Sequence, residues 1–210
     1  MSRVTSIEEL SNLKSKIETE RKFTKQVLIC GGTGCISSGS NEIADKMTEK
    51  VKAAGKENEI RVIKTGCFGF CEKGPIVKML PDNTFYTEVT PEDADRLVET
   101  HLLKEEKIEE LLFVDPVTKN KISDSDHMDF YKKQERVALR NCGVIDPENI
   151  EDYLLYDGYT ALDKVLKMSQ QEVVDIMKDS GLRGRGGGGF LTGLKWQFAL
   201  NNVSDQKYVV

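Results

Sequence analysis

The chain has 210 residues, 30 basic and 35 acidic side chains and a net charge of −5, enough for one large domain or two small ones; no basic face marks nucleic acid as a partner. No apolar run is long enough to cross a bilayer, and residues 1–25 mix charges of both signs where a signal peptide has an apolar core. The reading is therefore cytoplasmic, and in that reducing setting five cysteines point to metal or cluster ligands, four and one spare, and not to a disulfide framework.

In chain order, Ser6 and Glu9 make a capping box ahead of Leu10, Leu13 and Ile17, which predicts a short amphipathic helix. Residues 26–30 are apolar and branched, a buried strand ending at Cys30, with residues 31–35 as its exit loop. A helix over about residues 41–54 puts Ile43, Met47 and Val51 on one face and stops at Gly55. Residues 59–64 alternate as a second strand and lead into a loop containing Cys67 and Cys71. Residues 76–80 and 84–89 flank Pro81, Asp82 and Asn83 and predict a β-hairpin. Thr90, Pro91, Glu92 and Asp93 then start a helix reaching about residue 103. This order predicts a small α/β domain over residues 1–112. Residues 104–110 read as a solvated helix end, and residues 113–129, poor in apolar side chains, read as a linker. Residues 130–140, 149–155 and 159–167 read as helices, and residues 207–210 as a strand beginning.

Near the C-terminal end, residues 181–196 contain seven glycines. Gly184, Gly186 and Gly189 satisfy the dinucleotide pattern G-x-G-x-x-G, but that fingerprint follows a strand. Here the approach is helical, with Ser169 and Glu172 as a capping box and Val173, Val174, Ile176 and Met177 as apolar positions. Gly181 caps that helix, and another starts near Thr192. A glycine loop between two helices lets backbone N–H groups approach a bulky or anionic ligand.

Cys30 and Cys35 are spaced C-x4-C, and Cys67 and Cys71 C-x3-C, each pair in a glycine-containing loop after a predicted strand. Two thiolates on each iron of a [2Fe–2S] cluster, with small residues around its sulfides, suit this pattern. A structural zinc site, which prefers two-residue spacings, and buried unligated thiols are the other readings. No C-x-x-C is present for dithiol chemistry. A Rieske centre needs two histidine ligands, and His101 and His127 read as surface residues. Cys142 reads as a packed thiol.

Cys30-x4-Cys35 with Cys67-x-Gly69-x-Cys71-x-x-Gly74-Pro75 resembles the thioredoxin-like [2Fe–2S] ferredoxin family. The glycine stretch, with Leu139-Arg140-Asn141-Cys142-Gly143, resembles the NADH-oxidising flavoprotein subunit of respiratory complex I. Both modules in one chain resemble the corresponding subunit of soluble NAD-linked, including electron-bifurcating, hydrogenases and formate dehydrogenases. The resemblance covers nearly the whole chain. It implies an α/β architecture: a thioredoxin-like [2Fe–2S] ferredoxin domain over residues 1–112, then, over 130–210, the mostly helical start of a flavin-binding α/β domain.

The resemblance further implies that Cys30, Cys35, Cys67 and Cys71 hold a [2Fe–2S] cluster, and that Gly184, Arg185, Gly186 and Lys195 contact FMN. Gly187, Phe190 and Phe198 match positions on the NADH side; for Phe198 a core-facing helix position beside Trp196 is the alternative. Arg183 reads as the partner in a structural salt bridge in preference to a ligand contact. The family has Ala where Gly188 stands and Pro where Leu191 stands, departures that predict a looser loop with binding retained. The implied function is electron transfer between NADH, FMN and iron–sulfur clusters in an NADH dehydrogenase subunit. The implied partners are other iron–sulfur subunits. A [4Fe–4S] cluster and the rest of the nucleotide site are expected beyond residue 210, so that this chain alone has little activity. The alternative is a non-catalytic [2Fe–2S] carrier or docking module.

Overall fold

Residues 25–30 alternate as a strand buried on both faces must: Val27 and Ile29 enter one core, Leu28 and Cys30 another, and all four are buried. They form β1 (Lys25–Cys30), which pairs in parallel with β2 (Ile60–Thr65) and antiparallel with β3 (Val77–Leu80). β4 (Thr84–Tyr86) completes a sheet of order β2-β1-β3-β4. The structure, a computed structural model, describes residues 4–206 and divides into two units, Met1–Tyr156 and Asp157–Val210. The strand expected at residues 207–210 lies outside the described residues.

Helix α1 (Ile7–Glu20) begins where Ser6 accepts a hydrogen bond from the Glu9 N–H at 3.2 Å. The crossover from β1 to β2 holds α2 (Thr33–Ser37), expected as loop, and α3 (Ser40–Ala53). Ile43, Met47 and Val51 of α3 pack with Val27, Ile29, Met79 and Tyr86 in the first core. The capping box of Thr90 and Asp93 opens a helical run made of Pro91–Asp93, α4 (Ala94–Arg96) and the wider turns of Leu97–Leu103. His101, expected on the surface, is buried on this run. Its Nδ1 lies 2.6 Å from the Tyr86 hydroxyl and its Nε2 3.4 Å from Asp82, because this face of the run lies against β4.

Residues 113–129 are not a linker. They form a hairpin of β5 (Phe113–Val114) and β6 (Lys121–Ile122) and a 3-10 turn at Ser125–His127. The N–H groups of Thr87 and Phe85 donate to the carbonyls of Leu111 (2.9 Å) and Ser123 (2.8 Å), so this segment covers the outer edge of β4. Phe113, Ile122, Met128 and Tyr131 pack against Leu28, Ile76 and Phe85 in the second core. The segment's low apolar content reflects its turns, such as the one in which Asp115 accepts from the N–H groups of Val117 and Thr118. Of the helix expected over residues 130–140, only α5 (Asp129–Lys132) forms, and α6 (Ile150–Leu155) follows later. The second unit therefore starts at Asp157 and not at residue 130.

That unit holds α7 (Thr160–Leu166), α8 (Gln170–Asp179) and α9 (Thr192–Asn201), close to the bounds read from sequence. The Ser169 and Glu172 capping box is present. Among the described residues no helix is long and apolar enough to cross a membrane.

The end of the first unit is anchored by Asp152, which is 3% exposed. Its carboxylate takes hydrogen bonds from Arg21 (2.5 Å), Arg61 (2.9 and 3.2 Å) and the Asp146 N–H (2.8 Å). Burial raises its pKa, but those donors outweigh burial and hold the carboxyl below its ordinary value. A lowered pKa gives stability that is present above the unfolded carboxylate range and lost as pH falls through the folded value. Asp152→Ala removes the acceptor that two guanidinium groups share, leaving Arg21 only Glu151 at 3.7 Å and Arg61 only Asp146 at 3.5 Å, and is expected to cost about 3 kcal/mol in urea denaturation, the low end for a buried pair because those carboxylates remain and Arg21 keeps some water. It should also flatten the acid limb of the stability profile; a cost within experimental error contradicts the anchor.

Candidate functional site

The parallel pairing of β1 and β2 ends with Cys30 opposite Thr65, and the Gly31 N–H donates to the Thr65 carbonyl at 2.8 Å. Both loops thus leave the same end of the sheet. One turns into α2, which carries Cys35; Cys30 and Cys35 are both buried. The other carries Cys67 and Cys71, whose sulfurs lie 3.8 Å apart, with Cys71 exposed. Glycines make the approach possible: a Cβ on Gly32 would lie 3.1 Å from the Cys67 sulfur and 3.5 Å from that of Cys30, and one on Gly74 would lie 2.5 Å from that of Cys35. The structure brings the four cysteines singled out from sequence into one glycine-lined place.

Burial, with the Cys30 thiol beside it, pushes the Cys35 thiol up to about 12. The Cys67 thiol raises that of Cys71. Paired thiols oppose each other's ionisation, and a cationic centre between them removes that penalty. Among the described residues no group of three or more His, Cys, Asp or Glu side chains closes on one metal ion. The sulfurs lie in two pairs, Cys67 with Cys71 and Cys30 with Cys35, the arrangement a binuclear centre with two thiolates per iron uses.

The Cys67 loop is covered by residues 131–145, which sequence reasoning did not connect with it. The Tyr131 hydroxyl donates to the Phe68 carbonyl at 3.1 Å, and the Arg136 guanidinium donates to the same oxygen. Arg136 also reaches the Cys142 carbonyl at 3.4 Å and lies 5.0 Å over the Tyr131 ring. The Thr65 hydroxyl donates to the Ile145 carbonyl at 2.6 Å. Gly143, at φ +77°, meets the Phe68 ring where a Cβ would lie 2.6 Å from it. Cys142 packs on Gly66, consistent with a packed thiol. Burial raises the Tyr131 hydroxyl's pKa. Nothing local marks Tyr131 or Arg136 in the sequence.

In the second unit the glycine loop is pinned at its neck. The Gly184 N–H donates to the Phe190 carbonyl (2.8 Å), the Thr192 N–H to the Leu182 carbonyl (2.9 Å), and Arg183 to the Gly189 carbonyl (3.2 Å). Arg183 thus holds the loop through a carbonyl and, among the described residues, not through the salt bridge expected of it, and the Gly184 N–H is already engaged. Gly187 and Gly189 have φ of +110° and +59°, conformations suited to glycine. Among the described residues no acceptor meets the N–H groups of Gly186, Gly187, Gly188 or Gly189. Arg185 bonds the Arg183 carbonyl at 3.2 Å, and Lys195 is exposed on α9. Phe190 and Phe198 are both exposed, with ring centroids 6.3 Å apart, so Phe198 does not face a core. Free N–H groups, two cations and two exposed rings are a donor set that fits an anionic, planar ligand. Gly193 was missed as a packing position: a Cβ there would lie 2.6 Å from the Lys178 backbone of α8.

The thioredoxin-like [2Fe–2S] ferredoxin family profile matches residues 3–102. The chain is 36% identical over 77 residues to a [2Fe–2S] ferredoxin of Clostridium pasteurianum, covering 37% of this chain and 76% of that protein. It is 63% identical over 79 residues to a subunit of the NADP-reducing hydrogenase of Solidesulfovibrio fructosivorans, covering 38% of this chain and 16% of that protein. It is 48% identical over 61 residues to a subunit of the NADH-quinone oxidoreductase of Aquifex aeolicus, covering 29% of this chain and 14% of that protein. The matches thus span about a sixth or less of these two longer relatives.

Gly193→Ala is expected to push α8 and α9 apart at a cost of about 1–3 kcal/mol, seen as faster amide hydrogen exchange in both helices. Gly188→Ala, with open space around its Cβ position and no positive φ, should instead tighten the unit by about 0.5 kcal/mol. Equal protection in both variants contradicts the packing role of Gly193.

Proposed function

The chain belongs to the thioredoxin-like [2Fe–2S] ferredoxin family, and from that premise we propose that it is an electron-transfer flavoprotein subunit of an NAD(P)H-linked oxidoreductase. Cys30, Cys35, Cys67 and Cys71 hold the [2Fe–2S] cluster in the first unit. The loop of the second unit, through Gly184, Arg185, Gly186 and Lys195, holds FMN, with Gly187, Phe190 and Phe198 toward NADH. The observation that carries this reading is the meeting of two thiol pairs in one glycine-lined place at the end of β1 and β2.

Bound FMN would supply two-electron hydride chemistry toward NADH and the iron–sulfur centre one-electron chemistry, so that together they would convert two-electron into one-electron transfer. The chain's residues bind and orient. The N–H groups of residues 186–189 and the start of α9 would bind an anionic phosphate, to which Arg185 and Lys195 would add positive charge. Gly184 contributes by shaping the neck, since its N–H bonds Phe190. The exposed rings of Phe190 and Phe198 offer faces to a planar base. In the first unit, Cys30 and Cys35 keep water from one side of the cluster, while exposed Cys71 marks the side open to a partner. The partners this requires are other iron–sulfur subunits of the complex.

Reconstitution with iron, sulfide and FMN tests both halves. Cys35→Ser or Cys67→Ser should abolish the [2Fe–2S] EPR signal of the reduced protein, and an unchanged spectrum refutes the ligand assignment. Lys195→Ala should weaken FMN binding about tenfold, as loss of a charge-assisted hydrogen bond does, measured by quenching of flavin fluorescence. A cluster without any FMN uptake by the wild-type chain favours the carrier module instead.

A further inference from the structure

Resting on the assignment of Cys67 to the cluster, we propose that Arg136, together with Tyr131, is a positioning residue that raises the reduction potential of the [2Fe–2S] centre. The two side chains grip one end of the Phe68–Gly69 peptide, and the other end of that peptide points at the ligand sulfur. Phe68 O accepts from the Tyr131 hydroxyl at 3.1 Å and from the Arg136 guanidinium, while the Gly69 N–H lies 3.2 Å from Cys67 Sγ. Because an amide is planar, fixing its carbonyl fixes the direction of its N–H. Donors on the carbonyl also polarise the amide, making the N–H a stronger donor to sulfur.

The space around this peptide is shaped for the guanidinium. Gly69 has φ +82°, and a Cβ there would lie 3.1 Å from the terminal nitrogen of Arg136. The arginine is half-buried, and among the described residues no carboxylate pairs with it. A guanidinium stays charged throughout the working pH range. Its charge is therefore a fixed positive field at the Cys67 loop, available to a centre that is already anionic and gains one more negative charge on reduction. The fixed charge and the N–H···S bond both favour the reduced form, and net charge and hydrogen bonds to sulfur are what set such potentials. Arg136 and Tyr131 both follow residues 3–102, which match the ferredoxin family, so the device comes from a part of the first unit beyond that match.

The test is an EPR-monitored redox titration of the whole reconstituted chain, reduced stepwise with dithionite. Arg136→Gln should keep the signal and lower the equilibrium constant for reduction about tenfold, about 59 mV more negative for one electron. Arg136→Lys keeps the charge without the planar fork and should fall between wild type and Arg136→Gln. Tyr131→Phe should move the midpoint the same way by less. Midpoints identical to wild type in all three overturn the inference. If Arg136→Gln fails to take up the cluster, wild-type midpoints in Arg136→Lys and Tyr131→Phe overturn it just as well. A wild-type chain with no [2Fe–2S] spectrum overturns the cluster assignment itself, whereas a wild-type spectrum with a midpoint indifferent to these side chains overturns this inference alone.

Discussion

The parallel pairing of β1 with β2 is the constraint on which the rest depends. Parallel strands need a crossover of a dozen or more residues, and here that crossover does two things: α3 supplies the apolar face of the first core, and α2 carries Cys35 back toward Cys30. The register ends with Cys30 opposite Thr65, so the two cysteine loops leave the sheet side by side. Close contact at that end is possible only without side chains, since a Cβ on Gly31 would lie 2.7 Å from the Thr65 carbonyl oxygen. Cysteines far apart in sequence meet because neighbouring strands are under about 5 Å apart.

The second constraint is the sheet's other face. Leu28, Ile76 and Phe85 must be covered, and the cover comes from Phe113, Ile122, Met128 and Tyr131. The same stretch of chain then continues over the Cys67 loop, where Arg136 and Tyr131 meet the Phe68 carbonyl and Gly143 meets the Phe68 ring. Aromatic edge contacts tie the two jobs together: Phe68 and Tyr131 both pack on Phe85, and Phe70 packs on Phe113. Packing of the sheet and the surroundings of the thiols are thus one structure, and burial of an apolar face fixes where a cation sits relative to the sulfurs.

What was legible in the sequence was local. Ser6, and Ser169 with Glu172, are caps whose partners lie three residues away, Pro91 with the acids after it marks a helix start, and the helical segments they predict are present. The apolar run of β1, the alternation of β2 and the turn between β3 and β4 are of the same kind, as is the glycine spacing around the cysteines. What escaped depends on long-range contact. Phe113 and Met128 are single apolar residues among turns, so their segment resembles a linker until the sheet face they cover is known. Arg136 sits in no motif, and its part follows from a carbonyl far away in sequence. His101 looked like a surface residue because nothing near it in sequence announces Tyr86 and Asp82. Gly193 stands in a run of glycines, and only the path of α8 distinguishes it from its neighbours.

The central claim is that the glycine-lined thiol pairs at the end of β1 and β2 hold one binuclear centre. It is tested most directly by iron and acid-labile sulfide analysis of the purified wild-type chain, with Mössbauer spectroscopy of the same sample. The account predicts two irons and two sulfides per chain, the irons in equivalent tetrahedral sulfur sites when oxidised. A single metal ion per chain with no labile sulfide contradicts it.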